Sequence, residues 1–358
     1  MDYRYADKKT PWTLSPETLD WHLERGWYRM GANIFTTHFL FFKDRPYSAI
    51  WLRVDLAGFQ FSKKQRKLLR RNAKLFTTTA DPRTIDEERE ELYTRYAADF
   101  RGQLSPTVAD SLEDYGERTC FNTWETTVRE RMSGQLIAYS YFDLGSNSAA
   151  SIIGIYDPKL ATFSLGYYTM LLEMQYCIEQ GIRYYYPGYL VPGYDRFDYK
   201  LRLGPMQYYE LRSDDWQPYS EEIREHGPVE RQLRGLTDVS TRLQVGHGLR
   251  NVPLPLIYPL FEAGLYDIWT DDYLPFPYVL PLLSAEGFYV VLVYDPRTSQ
   301  FLLLQCQHMR QTQLLFQAGF LAGFGEGYFT ELLTIRRTLA RFGTAAGAVG
   351  ACVEVVRG

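Results

Sequence analysis

The chain has 358 residues, of which 46% are hydrophobic and 23% charged. That length and apolar content give two or three domains with sizeable cores and exclude a disordered chain. The net charge of −4, from 39 basic and 43 acidic residues, gives the whole molecule no electrostatic reason to seek nucleic acid or an anionic membrane, so any basic site is local. The longest apolar runs, such as Phe288–Tyr294, fall far short of the roughly 20 residues that span a bilayer, and no membrane span is expected. Cys120, Cys177, Cys306 and Cys352 are widely spaced with no Cys-x-x-Cys pair, and Met1–Thr10 holds no basic-then-apolar leader. A reducing cytoplasm is the expected location.

Residues 1–12 are polar and read as loose chain. Ser15-Pro-Glu-Thr opens a helix with Ser15 as N-cap and Pro16 at its first turn, carried by Leu19, Leu23 and Trp27. Two strands follow, Asn33–Phe42 and Ala49–Leu56, with a hairpin loop at Lys43–Tyr47. Ser62-Lys-Lys-Gln65 has the form of a capping box, so a helix begins there and runs through Leu68, Leu69 and Leu75. Seven of its first twelve residues after Ser62 are basic and none is acidic. Asp81–Glu91 reverses the sign and begins a solvated helix carrying Leu92, Tyr93 and Tyr96. Gln135–Leu144 and Ala150–Tyr156 alternate as an antiparallel pair, and Tyr168–Gln180 is an amphipathic helix closed by Gly181. A strand at Tyr184–Tyr186 follows.

This order describes an α/β (α+β) unit with a mixed, largely antiparallel sheet, in which a helix N-terminus opens beside strand ends and offers a place for a polar ligand. The segment 213–281 reads as connecting or wrapping chain, with a charged helix around Glu221–Arg234 and a proline-rich stretch from Pro253 to Pro281. Residues 282–358 read as a small extension of unknown role. It contains a β-hairpin, Phe288–Tyr294 with Gln300–Gln305, and a helix near Thr330–Phe342. Subdomain boundaries are expected at 100/101 and 212/213.

The basic helix admits two readings. A charge run is commonly a solvated face; a concentration of cations on one helix of an acidic protein is also the footprint of a local nucleic-acid site, where each neutralised phosphate releases counterions. Tyr184-Tyr-Tyr-Pro-Gly-Tyr-Leu-Val-Pro-Gly-Tyr194, leading to Lys200 and Arg202, is either a strand with two turns or a set of rings that stacks on a terminal base beside an anion site. The five histidines are scattered, no Gly-x-Ser-x-Gly occurs, and no spacing suits zinc, a P-loop or a dinucleotide. Where a coenzyme A enzyme carries a glycine-rich pyrophosphate loop, this chain has Ser164-Leu-Gly166, so no coenzyme A is expected.

Leu23-Glu-Arg-Gly-Trp-Tyr-Arg-Met-Gly31, Phe61-Ser-Lys-Lys-Gln-Arg-Lys-Leu-Leu-Arg-Arg-Asn72, Tyr156-Asp-Pro158, Ser164-Leu-Gly166 and Tyr184–Arg202 together resemble, in order and spacing, the arginyl-tRNA–protein transferase family, which includes bacterial leucyl-transferring members. The resemblance spans about residues 15–212. It implies a GNAT-like acyltransferase core divided into an N-terminal subdomain (1–100) and a C-terminal one (101–212). The implied activity moves an arginyl or leucyl group from charged tRNA to the N-terminal α-amine of an acceptor protein, marking it for degradation, with no cofactor. In that setting Lys63, Lys64, Arg66, Lys67, Arg70 and Arg71 contact tRNA phosphates. Ser164 and the amides of Leu165 and Gly166 receive the 3′ end or the oxyanion, and Tyr186 and Tyr189 line the acyl pocket. Lys200 and Arg202 pair with an acidic acceptor side chain; Asp157 orients the amine, unless its Asp-Pro pair simply builds a turn. Two departures stand out. The family's N-terminal cysteine cluster has no counterpart, since Met1–Leu56 holds no cysteine, and its Pro-Gly-Cys turn is here Pro192-Gly193-Tyr194. The alternatives are a non-catalytic module that binds tRNA or protein N-termini, and an aminoacyl-tRNA-dependent enzyme acting on a small amine or peptide.

Overall fold

In the computed structural model the described residues are 5–100, 102, 104–113, 119–247, 252–266, 273–308 and 323–357. The chain opens with β1 (Ala6–Lys9), where loose chain is expected. It pairs with β3 (Asn33–Thr37), which also takes β2 (Tyr28–Met30) to make a small antiparallel sheet. Between them α1 (Pro16–Glu24) starts on the Ser15 cap. The run expected as one strand to Phe42 breaks at His38. Its second half, β4 (Phe39–Phe42), forms a hairpin with β5 (Arg45–Ser48) across a two-residue turn in which Lys43 and Asp44 both take positive φ.

The main sheet has eight strands: β6 (Ile50–Asp55), β7 (Phe76–Pro82), β8 (Thr123–Glu130), β9 (Leu136–Leu144), β10 (Ser148–Tyr156), β11 (Tyr184–Leu190), β12 (Gln207–Glu210) and β13 (Asp215–Pro218). They lie in the order β13-β12-β6-β11-β10-β9-β8-β7, and the β10–β11 pair is parallel while its other neighbours are antiparallel. Strands from both sides of residue 100 therefore share one sheet.

Period-two alternation sends successive β9 side chains to opposite faces. Tyr139 and Tyr141 meet Leu92 and Tyr93 of α3 (Glu87–Asp99), while Phe142 joins Met170, Leu171 and Met174 of the long helix between β10 and β11. The short α4 (Val108–Leu112) closes the α3 side, its first N–H groups held by Glu90. Arg89 on α3 forms a two-bond fork with buried Glu125 on β8, at 2.7 and 2.6 Å. A second buried pair, Arg29 with Asp143 at 2.8 Å, ties β2 to β9.

Beyond β13, the helix expected around 221–234 begins later and runs as α6 (Pro228–His247). The rest is more than a hairpin and helix. β14 (Leu256–Ile257), β15 (Tyr278–Ala285), β16 (Phe288–Asp295), β17 (Gln300–His308) and β18 (Leu333–Phe342) form a five-stranded antiparallel sheet in that order. The segment expected as a helix near 330–342 is thus an edge strand, paired with β17 from His308–Leu333 to Phe301–Phe342. Its Leu and Arg residues favour helix locally, and tertiary pairing overrides them. The helix lies further on, between Ala345 and Arg357. The largest apolar cluster of the molecule fills this unit and takes in Tyr5 and Phe39 from the beginning of the chain.

Candidate functional site

β10 and β11 are hydrogen-bonded only from Ser148–Tyr184 to Ala150–Tyr186. Past that point each strand carries a register shift, β10 between Ser151 and Ile153 and β11 between Tyr185 and Gly188, and the two part company. Pro187 has no N–H to offer a ladder, and Gly188 sits at φ +89, where a side chain would be strained and its Cβ would come within 3.1 Å of the Lys200 ammonium. The gap opens into a cleft of about 920 Å³ walled by β10, α5 (Leu165–Glu179) and the 3₁₀ turns at Asp195–Arg202.

α5 points its N-terminus at this cleft. Its cap residue, Ser164, takes the left-handed conformation (φ 53, ψ 46), unusual for a residue with a Cβ and costing about 1–3 kcal/mol. The Ser164 hydroxyl makes no capping bond, and Ser164, Leu165 and Gly166, where the helix begins with its unpaired first-turn N–H groups, line the cleft. Gly166 lets the turn lie against the Tyr156 ring, which a Cβ there would meet at 3.2 Å.

The basic helix, α2 (Lys63–Ala73), has both halves of its capping box: Gln65 N–H donates to Ser62 Oγ at 3.3 Å, and Ser62 N–H donates to Gln65 Oε1 at 2.7 Å. Its seven cations, Lys74 included, are all exposed, while Gln65, Leu68, Leu69 and Asn72 face inward. Gln65 Nε2 donates to Leu203 O at 2.8 Å, Arg202 O at 3.0 Å and Tyr167 Oη at 3.1 Å. Asn72 donates to Phe163 O at 3.0 Å and Arg71 to Thr162 O at 3.3 Å. α2 is thereby bonded along its length to the segment that starts α5.

The other residues singled out in the sequence distribute unevenly. Lys200 lines the cleft, buried, donating to Tyr189 O at 2.9 Å, and burial lowers its pKa to about 7. Arg202 lies outside the cleft wall with its guanidinium 4.6 Å from the centre of the Tyr167 ring. Tyr186, 3% exposed, is packed against Trp216, and Tyr189 packs against Trp51 and Phe197; neither lines the cleft. Asp157 caps the 3₁₀ turn Pro158–Phe163 by accepting from Lys159 N–H at 3.0 Å, with Arg95 3.9 Å away; Pro158 and Ala161 of that turn line the cleft, but Asp157 does not, and its carboxylate serves the turn.

Sequence reading passed over Lys43, Arg196, Tyr199 and Glu173, all of which line the cleft. Lys43 arrives on the β4–β5 turn and stacks on Tyr194 at 4.6 Å. Glu173 lies on α5 among apolar residues; its interruption of an otherwise apolar face was the available signal. Among the described residues no cluster of His, Cys, Asp and Glu is arranged to hold a metal ion, and no helix is long and apolar enough to cross a membrane.

Residues 88–210, which contain the cleft's β10, α5 and 195–202 turns, match the family model described as arginine-tRNA-protein transferase, C terminus. Over that third of its length the chain is similar to the family. The curated relatives it resembles carry a consistent name. The aspartate/glutamate leucyltransferase of Leptospira interrogans is 28% identical over 214 residues, covering 57% of this chain and 79% of that protein. The protein of the same name from Phenylobacterium zucineum is 28% identical over 169 residues, covering 46% of this chain and 65% of its own length. Among solved structures, L-PGS from Bacillus licheniformis is 14% identical with a TM-score of 0.31, over 50% of this chain and 51% of that one. FemX is 12% identical with a TM-score of 0.34, over 56% and 69%. The chain thus spans about half the length of the first of these structures, and neither likeness bears on function.

Proposed function

We propose that this chain transfers an aminoacyl group from charged tRNA to the N-terminal α-amine of an acceptor protein. The observation that carries the reading is the attachment of α2 to the mouth of the cleft. Lys63, Lys64, Arg66, Lys67, Arg70 and Arg71 form an exposed cationic surface, and Gln65 and Asn72 bond that helix to Tyr167 and Phe163, on either side of the α5 cap. An acceptor stem held on those cations delivers its 3′ end to the adjoining helix terminus. The relatives' name favours leucine as the donated residue and aspartate or glutamate as the accepting N-terminus. A GNAT-type core, as the resemblance implies, accords with the mixed sheet and the position of α5.

The reaction asks little beyond positioning, because the ester to the ribose is already activated. The amine nitrogen attacks the ester carbonyl, and the oxyanion forms beside Ser164 and the Leu165 and Gly166 amides. The carbon–oxygen bond to the ribose then breaks, and no covalent enzyme intermediate or cofactor is needed. Lys43, Arg196 and Lys200 give the cleft positive charge suited to an acidic acceptor side chain. The test incubates the purified chain with radiolabelled leucyl- and arginyl-tRNA and peptides beginning with Asp, Glu or Ala. Label in the acidic peptides is the expected result. Retained tRNA with unlabelled peptides would replace the reading with a binding module, and label in small amines alone with a different acceptor class.

A further inference from the structure

Glu173 has no exposed surface, yet it forms part of the cleft wall. Its Oε2 accepts from the Tyr185 hydroxyl of β11 at 2.6 Å; the Ser140 and Ser151 hydroxyls are near enough to favour the carboxylate, but Oε1 completes no hydrogen bond of ordinary geometry. A buried carboxyl oxygen without a completed hydrogen bond is costly, and here that cost is met where α5 lines the cleft beside β10. The groups facing the carboxyl are Ser140 of β9, Ser151 of β10, Tyr185 of β11, Tyr28 of β2, Tyr199 of the 195–202 turns and Cys177 of its own helix. Burial raises the pKa of each of these tyrosines and of the cysteine, so all remain neutral near pH 7. Lys200 is the buried cation on the same cleft wall.

We propose that Glu173 is the general base that takes the proton from the acceptor's α-ammonium, an assignment that rests on the transfer reading above. The acceptor arrives as an ammonium, whose ordinary pKa is about 8. Because the carboxyl has no exposed surface, one N–H proton passes to Glu173 Oε1 through an intervening water, and the freed lone pair forms the carbon–nitrogen bond to the ester carbonyl. As the carbon–oxygen bond to the ribose breaks, the nitrogen's second proton goes to the departing 3′ oxygen. Glu173 then returns its proton to solvent, so ester and ammonium give amide, free tRNA hydroxyl and one released proton. Electrostatics agree with the geometry. Burial raises the Glu173 pKa to about 7 against the pull of the Ser140, Tyr185 and Ser151 hydroxyls, matching the base to its task near neutrality.

The experiment measures single-turnover transfer by the full chain and by Glu173→Gln, Glu173→Asp and Tyr185→Phe variants between pH 5.5 and 9, with retention of aminoacyl-tRNA measured alongside. The expected wild-type rate climbs as pH passes about 7. Glu173→Gln should lose on the order of 100-fold or more in rate, keep tRNA retention, and follow the acceptor amine's ionisation alone; Glu173→Asp should restore part of the rate. A Glu173→Gln protein that transfers within threefold of wild type, with an unmoved pH profile, overturns the assignment and leaves the residue structural. If Glu173→Gln fails to fold, Tyr185→Phe decides. Removing that donor raises the Glu173 pKa and moves the acid limb to higher pH, and an unmoved limb refutes the proposal. A wild-type chain that transfers no label overturns the transferase reading itself, which separates that failure from the others.

Discussion

Replacing Gln65 with alanine tests whether the position of α2, as distinct from its charge, matters. Gln65 is buried and makes four contacts: it completes the capping box through Ser62 N–H, and its amide nitrogen serves Leu203 O, Arg202 O and Tyr167 Oη. Tyr167 Oη also donates to Arg202 O, so that carbonyl keeps one donor, whereas Leu203 O is left with less. Losing half the cap and stranding buried acceptors sums to about 2–4 kcal/mol. In a chain of this size that lowers the thermal midpoint by roughly 3–5 °C. All seven cations remain, so tRNA affinity should fall while the slope of log affinity against log salt is preserved. Calorimetry and filter binding at several salt concentrations read the two effects. A midpoint within a degree of wild type would refute the docking argument, and a large midpoint loss with undiminished tRNA affinity would show that helix placement is irrelevant to the RNA.

Reversing charge at Lys63, Arg66 and Arg70 should do the opposite, leaving the fold intact and lowering the salt slope by about 3; unchanged retention at low salt would count against an RNA surface on α2. Arg29→Met strands the buried Asp143 carboxylate, which also accepts from Thr123 at 2.6 Å, and should cost about 3–5 kcal/mol in urea unfolding; a loss under 1 kcal/mol would show that the pair is dispensable. Lys200 is held near pKa 7 in the folded chain and returns to its ordinary value on unfolding, so the unfolded chain binds the extra proton between those two values. Its contribution to stability therefore increases with pH, by up to about 1.4 kcal/mol per unit, from near 7 toward 10.5. Lys200→Met should gain most over wild type below pH 7, with the advantage shrinking by pH 10; a pH-independent difference in urea midpoints would contradict a buried ammonium.

Local chemistry was legible wherever neighbours in sequence decide it. The Ser62 cap, the Gly181 stop and the alternation of β9 and β10 are short-range signals, and each element formed close to its expected place. The exposed cations of α2 were readable for the same reason, since no acidic residue interrupts them. What escaped depends on long-range pairing. Thr330–Phe342 carries helix-forming residues yet lies in a sheet because β17 offers it a full-length partner. Glu173 stands out only as a carboxylate on an apolar helix face, and its place in the cleft depends on the separation of β10 and β11. The fate of Tyr186 was hidden likewise: a tyrosine in a Tyr-rich strand faces either way according to register, and the shift at Tyr185–Gly188 places it with Trp216.

The β4–β5 hairpin couples two parts of the molecule that sequence separates. Phe39 and Phe41 pack on Phe261, inside the cluster filled mainly by residues beyond 228, and Ser48 holds Glu230 at the start of α6 with a 2.6 Å bond. The same hairpin carries Lys43 to the rim of the cleft. A fragment cut after residue 212 would retain the family's matched segment but leave this buttress without its backing, with an apolar strip open to water and a loosened entrance. The late residues act as a keystone for the early ones, and dissection at that boundary should yield an aggregating, poorly active piece in place of a minimal enzyme.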